Sequence, residues 1–318
     1  MKNRFALLGA VCALFVLIFA SGQVISASRY ALNICADLIL PSLFPFFVIS
    51  ILLGKMGLPY YLDKFLGKPG AKLFSVSGAG ISALFVGLSG GYPLGAAYIS
   101  QIYEEGIIKR EEAERLLAFC NNSGPAFIVG VVGSGVFNSS KIGIMLYLIH
   151  ILSALLTGIL LRGKACSSCT HSLQPAEIPF TKALPDSVKQ AVISVLNVCG
   201  FVVCFTVFTG LLDANGFLSA AAQWLSSLTG LELQWSKAAF SGVFELGSAA
   251  GALRGLSPAP ANLALAAAIL GWGGISVHFQ TLALISDTDI KSTLHFAGRF
   301  LSAVFAAALA YPAAVLFT

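Results

Sequence analysis

Four short stretches of small and polar residues interrupt apolar segments of this sequence, and they hold the side chains best suited to bind a solute. Two lie in the first half, Ser89-Gly-Gly-Tyr-Pro93 and Asn121-Asn-Ser-Gly124, and two lie in the second half, around Glu245 and Gly273. Glycine and proline interrupt helices and leave backbone N–H and C=O groups free. At membrane depth such groups persist only where protein or water satisfies them, which predicts a cavity or a solute pathway.

The chemistry that these stretches offer is recognition of a small polar solute. Free N–H groups at the positive end of a helix dipole suit a carboxylate, and serine and asparagine side chains add donors and acceptors. The alternative is that the stretches only let helices pack closely. Tyr92 could stack on an aromatic ring or pack beside Pro93. The expected substrate-binding or pathway residues are Ser89, Gly90, Gly91, Tyr92, Pro93, Asn121, Asn122, Ser123, Gly124, Glu245, Ser248, Gly273, Gly274 and Ser276, with Trp272 and Gln280 facing the same tips.

Glu245 is the most informative single residue, because an acid inside an apolar segment is costly and indicates a function. It is a candidate proton carrier, or else it forms an ion pair with Arg254 or Arg299. His278 is a second candidate for proton coupling, since histidine titrates near neutral pH. The alternative for His278 is a hydrogen-bonded histidine within a helix. Asp37 also lies in a span, either at a buried position or at an interface position near the membrane surface.

Motifs of catalysis and of metal or nucleotide binding are missing from the sequence. It contains no Walker loop, dinucleotide fingerprint, His-Glu-x-x-His or Gly-x-Ser-x-Gly motif. The stretch Cys166-Ser-Ser-Cys169-Thr-His171 lacks the second ligand pair of a structural zinc site. We therefore expect no enzymatic activity, no cofactor, no metal and no ATP-driven pumping. Basic stripes with interleaved aromatic residues are also missing, so we expect no nucleic-acid partner.

The amino-acid composition indicates the environment in which these stretches lie. The chain has 318 residues, of which 57% are hydrophobic and 10% charged, and its mean hydropathy is +0.86. These values lie outside the range of soluble globular domains and predict a multi-pass integral membrane protein in contact with the lipid bilayer. The formal net charge of +5 lies mostly in short loops, where it is an orientation signal.

A guide of roughly 20 apolar residues per span predicts nine segments. Lys2 and Arg4 place the N-terminus inside, and the basic loop between Arg162 and Lys182 also stays inside if one segment dips into the membrane and returns. The segments 73–102 and 236–255 carry central Gly and Ser, so we predict re-entrant helical hairpins there. The nine segments lie near 5–26, 31–54, 73–102, 116–137, 141–162, 187–212, 236–255, 261–286 and 292–317.

The two halves repeat one order of elements: a helix, a Gly- or Ser-broken hairpin, a polar-interrupted helix and an uninterrupted helix. Three crossings and one hairpin per half make an odd number, so the second copy is expected to be inverted. The predicted fold is an all-α polytopic membrane protein. It comprises an N-terminal helix (1–28) that is a signal anchor or a cleaved signal peptide, a first repeat (29–162), a polar linker (163–186) and a second, inverted repeat (187–318).

The stretches Ser89-Gly-Gly-Tyr-Pro-Leu-Gly95 and Arg115-Leu-Leu-Ala-Phe-Cys-Asn-Asn-Ser-Gly-Pro-Ala-Phe127 resemble those of sporulation integral membrane proteins of the Gate, or nucleoside-recognition, superfamily. That superfamily is similar in layout to concentrative nucleoside transporters. The resemblance implies a bacterial mother-cell or outer forespore membrane and delivery of dipicolinate, a pyridine dicarboxylate, to the developing spore. It also implies that a homo-oligomer is possible.

The resulting expectation is a transporter of a small anionic solute, with dipicolinate as the leading substrate. A proton-coupled transporter and a facilitator both remain open. The first alternative is a non-transporting membrane scaffold of a sporulation complex. The second alternative is a transporter of nucleoside-type solutes.

Overall fold

The computed structural model describes residues 2–163 and 178–317, and every regular element in these ranges is a helix. Five helices within them are long and apolar enough to cross a membrane, or six if one bent helix pair counts as a single span. This confirms the predicted all-α, multi-pass class. The stretch from Cys166 to His171 lies outside the described residues.

The first half contains eight α-helices and two π-helical segments. A one-residue interruption at Ala20 separates the first helix from the second. In chain order the elements are α1 (Lys2–Phe19), α2 (Ser21–Ile34), π1 (Cys35–Ile39), α3 (Leu40–Lys55), α4 (Leu58–Phe74), α5 (Gly78–Gly90), α6 (Leu94–Glu104), α7 (Arg110–Phe119), π2 (Ala126–Val136) and α8 (Ser140–Leu160).

After the linker, the elements of the second half follow an order similar to that of the first half from α2 onward. A long helix is followed by a short helix that starts after a left-handed glycine, then by two short helices, a helix broken in its middle and a long closing helix. These elements are α9 (Phe180–Ala214), α10 (Phe217–Thr229), α11 (Leu233–Phe244), α12 (Leu246–Leu253), α13 (Pro260–Trp272), α14 (Gly274–Leu284) and α15 (Thr293–Phe317).

A 35-residue helix follows α1 in the first half, and a helix of equal length begins the second half. Ser21–Lys55 is continuous over 35 residues through π1, and α9 also has 35 residues. The helix Ser21–Lys55 therefore runs through the boundary expected at 28/29, because Arg29, Tyr30 and Asn33 are polar without breaking a helix. The second begins at Phe180 instead of 187, with Pro185 tolerated in its second turn.

Two short helices, α4 and α10, occupy stretches that we expected to be loops. Each follows a glycine with a positive φ, Gly57 at 87° and Gly216 at 74°, and glycine adopts such a conformation without steric cost. Lys64, Lys68 and Lys72 of α4 recur every four residues, so they share one helix face. The pair α4 and α5 bends by 93°, which turns the chain into the membrane region.

Two pairs of short helices form hairpins. Hairpin A is α5, the turn 91–93 and α6; hairpin B is α11, the turn at Glu245 and α12. The 13 residues of α5 extend about 20 Å, and the eight of α12 about 12 Å. Both lengths are below the roughly 30 Å of a hydrocarbon core.

The hairpins open toward opposite ends of the helix Ser21–Lys55. Gln101, near the open end of hairpin A, lines the same cavity as Lys55. Gly251, near the open end of hairpin B, packs so closely on Tyr30 that a Cβ there would lie 2.8 Å from the tyrosine hydroxyl. The two tips therefore point toward each other in the interior.

A polar cluster outside the membrane segments joins hairpin A to the second half. The Tyr103 hydroxyl donates a hydrogen bond to Asp289 in the loop between α14 and α15, and Arg110 lies 3.3 Å from the same carboxylate. Arg110 also pairs with Glu114 at 2.8 Å, whose carboxylate accepts from the Lys291 backbone N–H at 3.1 Å. The tyrosine hydrogen bond and the Arg110 charge lower the pKa of Asp289.

This cluster predicts a pH-dependent contribution of Asp289 to stability. Because its pKa is lowered on folding, its contribution is complete above the ordinary aspartate pKa of about 3.9 and is lost as pH falls through the lower folded-state pKa. Asp289→Asn should lower the Tm in detergent by about 2 °C at neutral pH, as expected for an exposed ion pair. This difference should vanish in acid.

Asp287→Asn is the matched control, since Asp287 is exposed in the same loop. Equal effects of the two substitutions across the pH range would contradict this role of Asp289.

Candidate functional site

The four interruptions meet around one buried central cavity of about 50 Å³. Hairpin A contributes Gly91 and Tyr92, and the break between α7 and π2 contributes Ser123 and Gly124. The second half contributes Glu245, Leu246 and Gly247 from hairpin B, and Ser276, Val277 and Gln280 from α14. The remaining wall comes from the long helices and π2, through Ile39, Leu43, Phe127, Val198 and Val202.

Glycines allow the interruptions to approach this closely. Gly91 has a φ of 83°, and a Cβ there would lie 2.5 Å from the backbone nitrogen of Gly124. Gly273 has a φ of 89°, and a Cβ there would lie 2.9 Å from the Tyr92 hydroxyl. Any larger residue would push the first-half tip away from the second-half break, so backbone packing determines the shape of the cavity.

Glu245 forms one wall of the cavity and also caps α12. Its side chain is 2% exposed, and its two carboxylate oxygens accept from the backbone N–H groups of Gly247 at 2.7 Å and Ser248 at 2.5 Å. The alternative of an ion pair between Glu245 and Arg254 or Arg299 is not realised, because the ion pairs found among the described residues, Arg110–Glu114 and Arg110–Asp289, do not include Glu245. The N-terminus of α12 is therefore occupied by the protein's own carboxylate.

Arg299 is a central residue that the sequence analysis considered only as a partner for Glu245. This fully buried side chain of α15 donates to the Tyr92 hydroxyl at 3.0 Å, to Asn122 Oδ1 at 3.2 Å and to the Asn121 carbonyl oxygen. It also donates to the Ser302 hydroxyl at 2.6 Å. One guanidinium thus joins the closing helix of the second half to both first-half interruptions.

The asparagine pair stabilises the break between α7 and π2 and does not line the cavity. Asn121 Nδ2 donates to the Thr281 hydroxyl of α14 at 2.7 Å, which is a second bond between the halves. Asn122 Nδ2 donates to the carbonyl oxygen of Phe119 at 2.7 Å. The next backbone N–H, that of Ser123, donates to His150 Nε2 at 3.1 Å.

His278 lies behind the cavity, paired with a histidine that sequence reasoning did not single out. Its Nδ1 is 2.9 Å from His295 Nε2, and His295 Nδ1 is 3.1 Å from the Leu117 carbonyl oxygen. A carbonyl only accepts, so in the neutral pair His295 carries its proton on Nδ1 and accepts from His278. Together His295, Arg299 and Ser302 form a buried polar face of α15 at helical spacing.

The predicted site residues therefore divide into two groups. Those that line the central cavity are Gly91, Tyr92, Ser123, Gly124, Glu245 and Ser276. Those that pack or bond around it are Ser89, Gly90, Pro93, Asn121, Asn122, Ser248, Gly273, Gly274 and His278. A binding role for either group stays a prediction.

Larger cavities lie on both sides of the central one. The Lys55 cavity, of about 610 Å³, contains Ser50, Lys55, Gln101 and Gln190. The Arg254 cavity, of about 330 Å³, contains Asn33, Asp37 and Arg254. The Lys237 cavity, of about 870 Å³, contains Lys237 and Ser248.

The central cavity communicates more closely with one side. It shares the lining residues Ile39, Phe127 and Gly247 with the Arg254 cavity, and it shares none with the Lys55 cavity. Phe47 is fully buried and lies one helical turn from both Leu43 of the central cavity and Ser50 of the Lys55 cavity. Its spacing along the helix therefore places it between these two cavities.

The fold and this buried polar centre define a multi-pass α-helical integral membrane protein. Among curated proteins, the sporulation integral membrane protein YlbJ of Bacillus subtilis (strain 168) is 32% identical over an alignment of 307 residues, which covers 88% of this chain and 75% of YlbJ. The chain belongs to the family of this sporulation membrane protein. No family model matches the chain, and no solved structure matches it significantly.

The bonds of Arg299 predict a large loss of stability when the guanidinium is removed. Arg299→Met leaves four buried oxygen acceptors without this donor, which should cost roughly 3 kcal/mol or more. Arg299→Lys should recover only part of that loss, because an ammonium cannot reproduce the planar fork. Unfolding of the purified protein in detergent measures both effects.

The control is Arg29→Met, because Arg29 is exposed on the long first helix. A loss no larger in Arg299→Met than in Arg29→Met would contradict the linking role of Arg299.

Proposed function

We propose that this protein is a membrane transporter of a small anionic solute, with dipicolinate delivered to the developing spore as the leading substrate. The observation that carries the proposal is the meeting of four helix interruptions at one buried cavity between larger cavities. Interrupted helices whose tips meet at mid-membrane are a feature of secondary transporters.

The repeated order of elements supports a mechanism of alternating access. Each half has a long helix, a short amphipathic helix, a hairpin, a broken helix and a closing helix. The hairpins open toward opposite ends of Ser21–Lys55, as expected for two inverted copies. On this proposal 29–162 and 187–318 are the repeats, and movement of one hairpin at a time exposes the centre to one side.

Basic side chains support an anionic solute. Lys55 lies in one flanking cavity whose described lining residues include no acid, whereas Arg254 and Lys237, on the opposite side, share their cavities with Asp37 and Asp213. Arg299 adds a buried positive charge that donates directly to Tyr92 of the cavity wall. The Lys55 charge attracts an anion to that entrance, and Arg299 adds positive potential behind Tyr92.

The size of the central cavity implies a conformational change during transport. A volume of about 50 Å³ holds a few water molecules and is too small for an aromatic dicarboxylate. Such a solute fits the flanking cavities, so it reaches the centre only when a hairpin tip withdraws. The Tyr92 ring at the tip of hairpin A is placed to stack on an aromatic solute as it enters.

The choice of dipicolinate rests on family membership and on the resemblance described above. YlbJ is named as a sporulation integral membrane protein, and the Gate-type resemblance associates such proteins with this dicarboxylate. Placement in the mother-cell or outer forespore membrane, and assembly as a homo-oligomer, belong to the same proposal.

Uptake of labelled dipicolinate into proteoliposomes tests the function, with and without a pH gradient. We expect uptake by the wild type and a loss of at least about tenfold in Asn121→Ala, because that change removes a bond between the halves. Asn262→Ala is the control, since Asn262 is half-buried in the first turn of α13 and its amide donates to the Ser257 carbonyl oxygen of the preceding loop.

Folded protein that takes up no dipicolinate in either condition would overturn the proposal. Competitive inhibition of dipicolinate uptake by nucleosides would favour the nucleoside-type alternative instead.

The barrier at Phe47 generates a second prediction for the same assay. Phe47→Ala should increase passive efflux from preloaded proteoliposomes several-fold, because it opens a gap between the central and Lys55 cavities. Phe46→Ala is the matched control, since Phe46 is 43% exposed on the adjacent face. Equal efflux from both variants would contradict the role of Phe47 as a barrier between the two cavities.

A further inference from the structure

The second half directs oxygen acceptors into the central cavity. Glu245 contributes a buried carboxylate, and Ser276 contributes a hydroxyl that is 1% exposed. Gln280 lines the same cavity and is 5% exposed, while its Oε1 has no hydrogen-bond partner among the described residues. A buried amide oxygen without a partner is costly, so it indicates a ligand that accepts its lone pairs.

The orientation of Gln280 adds to this argument. Its Nε2 points toward Ser276 Oγ, 3.5 Å away, which leaves the carbonyl oxygen of the amide as the free group. Ser276 is four residues earlier on α14, so the two side chains share one face of that helix. The carboxylate of Glu245 uses one lone pair of each oxygen to cap α12 and keeps the others.

The cavity therefore offers hard oxygen ligands, one negative charge and space for only a small ligand. No basic residue lines it, and hard oxygen ligands favour alkali and alkaline-earth cations. The described residues contain no group of three or more His, Cys, Asp and Glu that could hold a metal ion. One carboxylate with neutral oxygens matches a single positive charge better than a divalent or transition metal.

We propose that Glu245, Gln280 and Ser276 bind a monovalent cation, either an alkali ion such as Na⁺ or a proton held as protonated Glu245 or as hydronium, and that this cation is the coupling ion. The second part rests on the proposed function. An ionised Glu245 repels an anion that enters the same cavity, whereas a bound cation cancels that charge. Cation and anion then bind with positive linkage, as symport requires.

Other titratable groups lie near Glu245, and their titration could contribute to a pH-dependent shift of the Tm. Cys35 of π1 interacts with the Glu245 charge, and its thiol approaches the backbone oxygen of Cys199 on α9 at 3.9 Å. Tyr92 faces the cavity from hairpin A, with Arg299 behind it. Glu245 is the carboxylate among the lining residues, so Glu245→Gln isolates its titration.

Cation binding is measured as stabilisation of the purified full-length protein without solute. At alkaline pH and constant ionic strength, replacing N-methylglucamine by Na⁺ should raise the Tm by about 3 °C once Na⁺ exceeds its dissociation constant about tenfold. Li⁺ and K⁺ are compared with Na⁺. A second series of measurements contains no alkali ions. In that series, a rise of the Tm as the pH is lowered identifies a proton as the ligand.

Both Glu245→Gln and Gln280→Leu should lose the alkali effect, and Glu245→Gln should lose the proton effect. Gln223→Leu should keep the wild-type response, because Gln223 is exposed on α10. Ser276→Ala, which removes one neutral ligand with little change of volume, replaces Gln280→Leu if that variant does not fold.

An alkali-dependent shift that is lost in the site variants supports an alkali ion, and a pH-dependent shift lost only in Glu245→Gln supports a proton. A shift that persists in both site variants, or no shift in either arm, overturns the cation site. A wild type that transports dipicolinate without any cation response overturns this inference alone. A cation response without dipicolinate uptake overturns the proposed transport alone.

Discussion

The burial of Arg299 is the constraint on which the centre of this protein depends. A charged side chain costs about 3 kcal/mol at the middle of a membrane helix, and Arg299 has no carboxylate partner among the described residues. It is stabilised by four oxygen acceptors, three of which belong to the interrupted segments of the first half. The backbone of those segments is irregular and buried, and the guanidinium donates a hydrogen bond to one of its carbonyl oxygens, that of Asn121.

Hydrogen bonds between the two halves also pair polar groups that each half buries. The first half leaves the Asn121 carbonyl oxygen and the Tyr92 hydroxyl free in its interior, and Arg299 of the second half donates to both. The second half buries Thr281, and Asn121 bonds to it. Either half alone would bury unpaired polar atoms in an apolar medium, which is costly. The two halves therefore form one folding unit around the cavity.

The sequence predicted the all-α, multi-pass class and the four breaks within a few residues, because glycine, proline and buried polar residues interrupt apolar runs visibly. It predicted the cost of burying Glu245 but not its partners, since the bonds that its carboxylate accepts from the Gly247 and Ser248 N–H groups depend on the turn geometry. Arg299 was underestimated, although His295, Arg299 and Ser302 repeat at helical spacing in an apolar helix.

The amphipathic helices α4 and α10 were missed for a related reason. Lysine at every fourth position of α4 marks a helix face, yet Gly67, Pro69 and Gly70 favour a loop. Local propensity was overridden here by packing of α4 on α5. The free amide oxygen of Gln280 could not be predicted at all, because only the packed structure reveals which polar atoms have partners.

The two 35-residue helices have a consequence for the lipid around the protein. Each extends about 52 Å, whereas the hydrocarbon core is about 30 Å thick. The excess length requires tilt, or else extension into the headgroup region. Because Tyr30, Ser50 and Lys55 of the first helix line the flanking cavities, a thicker or thinner bilayer changes the tilt of the walls themselves. Bilayer thickness thus becomes a physical variable that acts on the cavities from outside the protein.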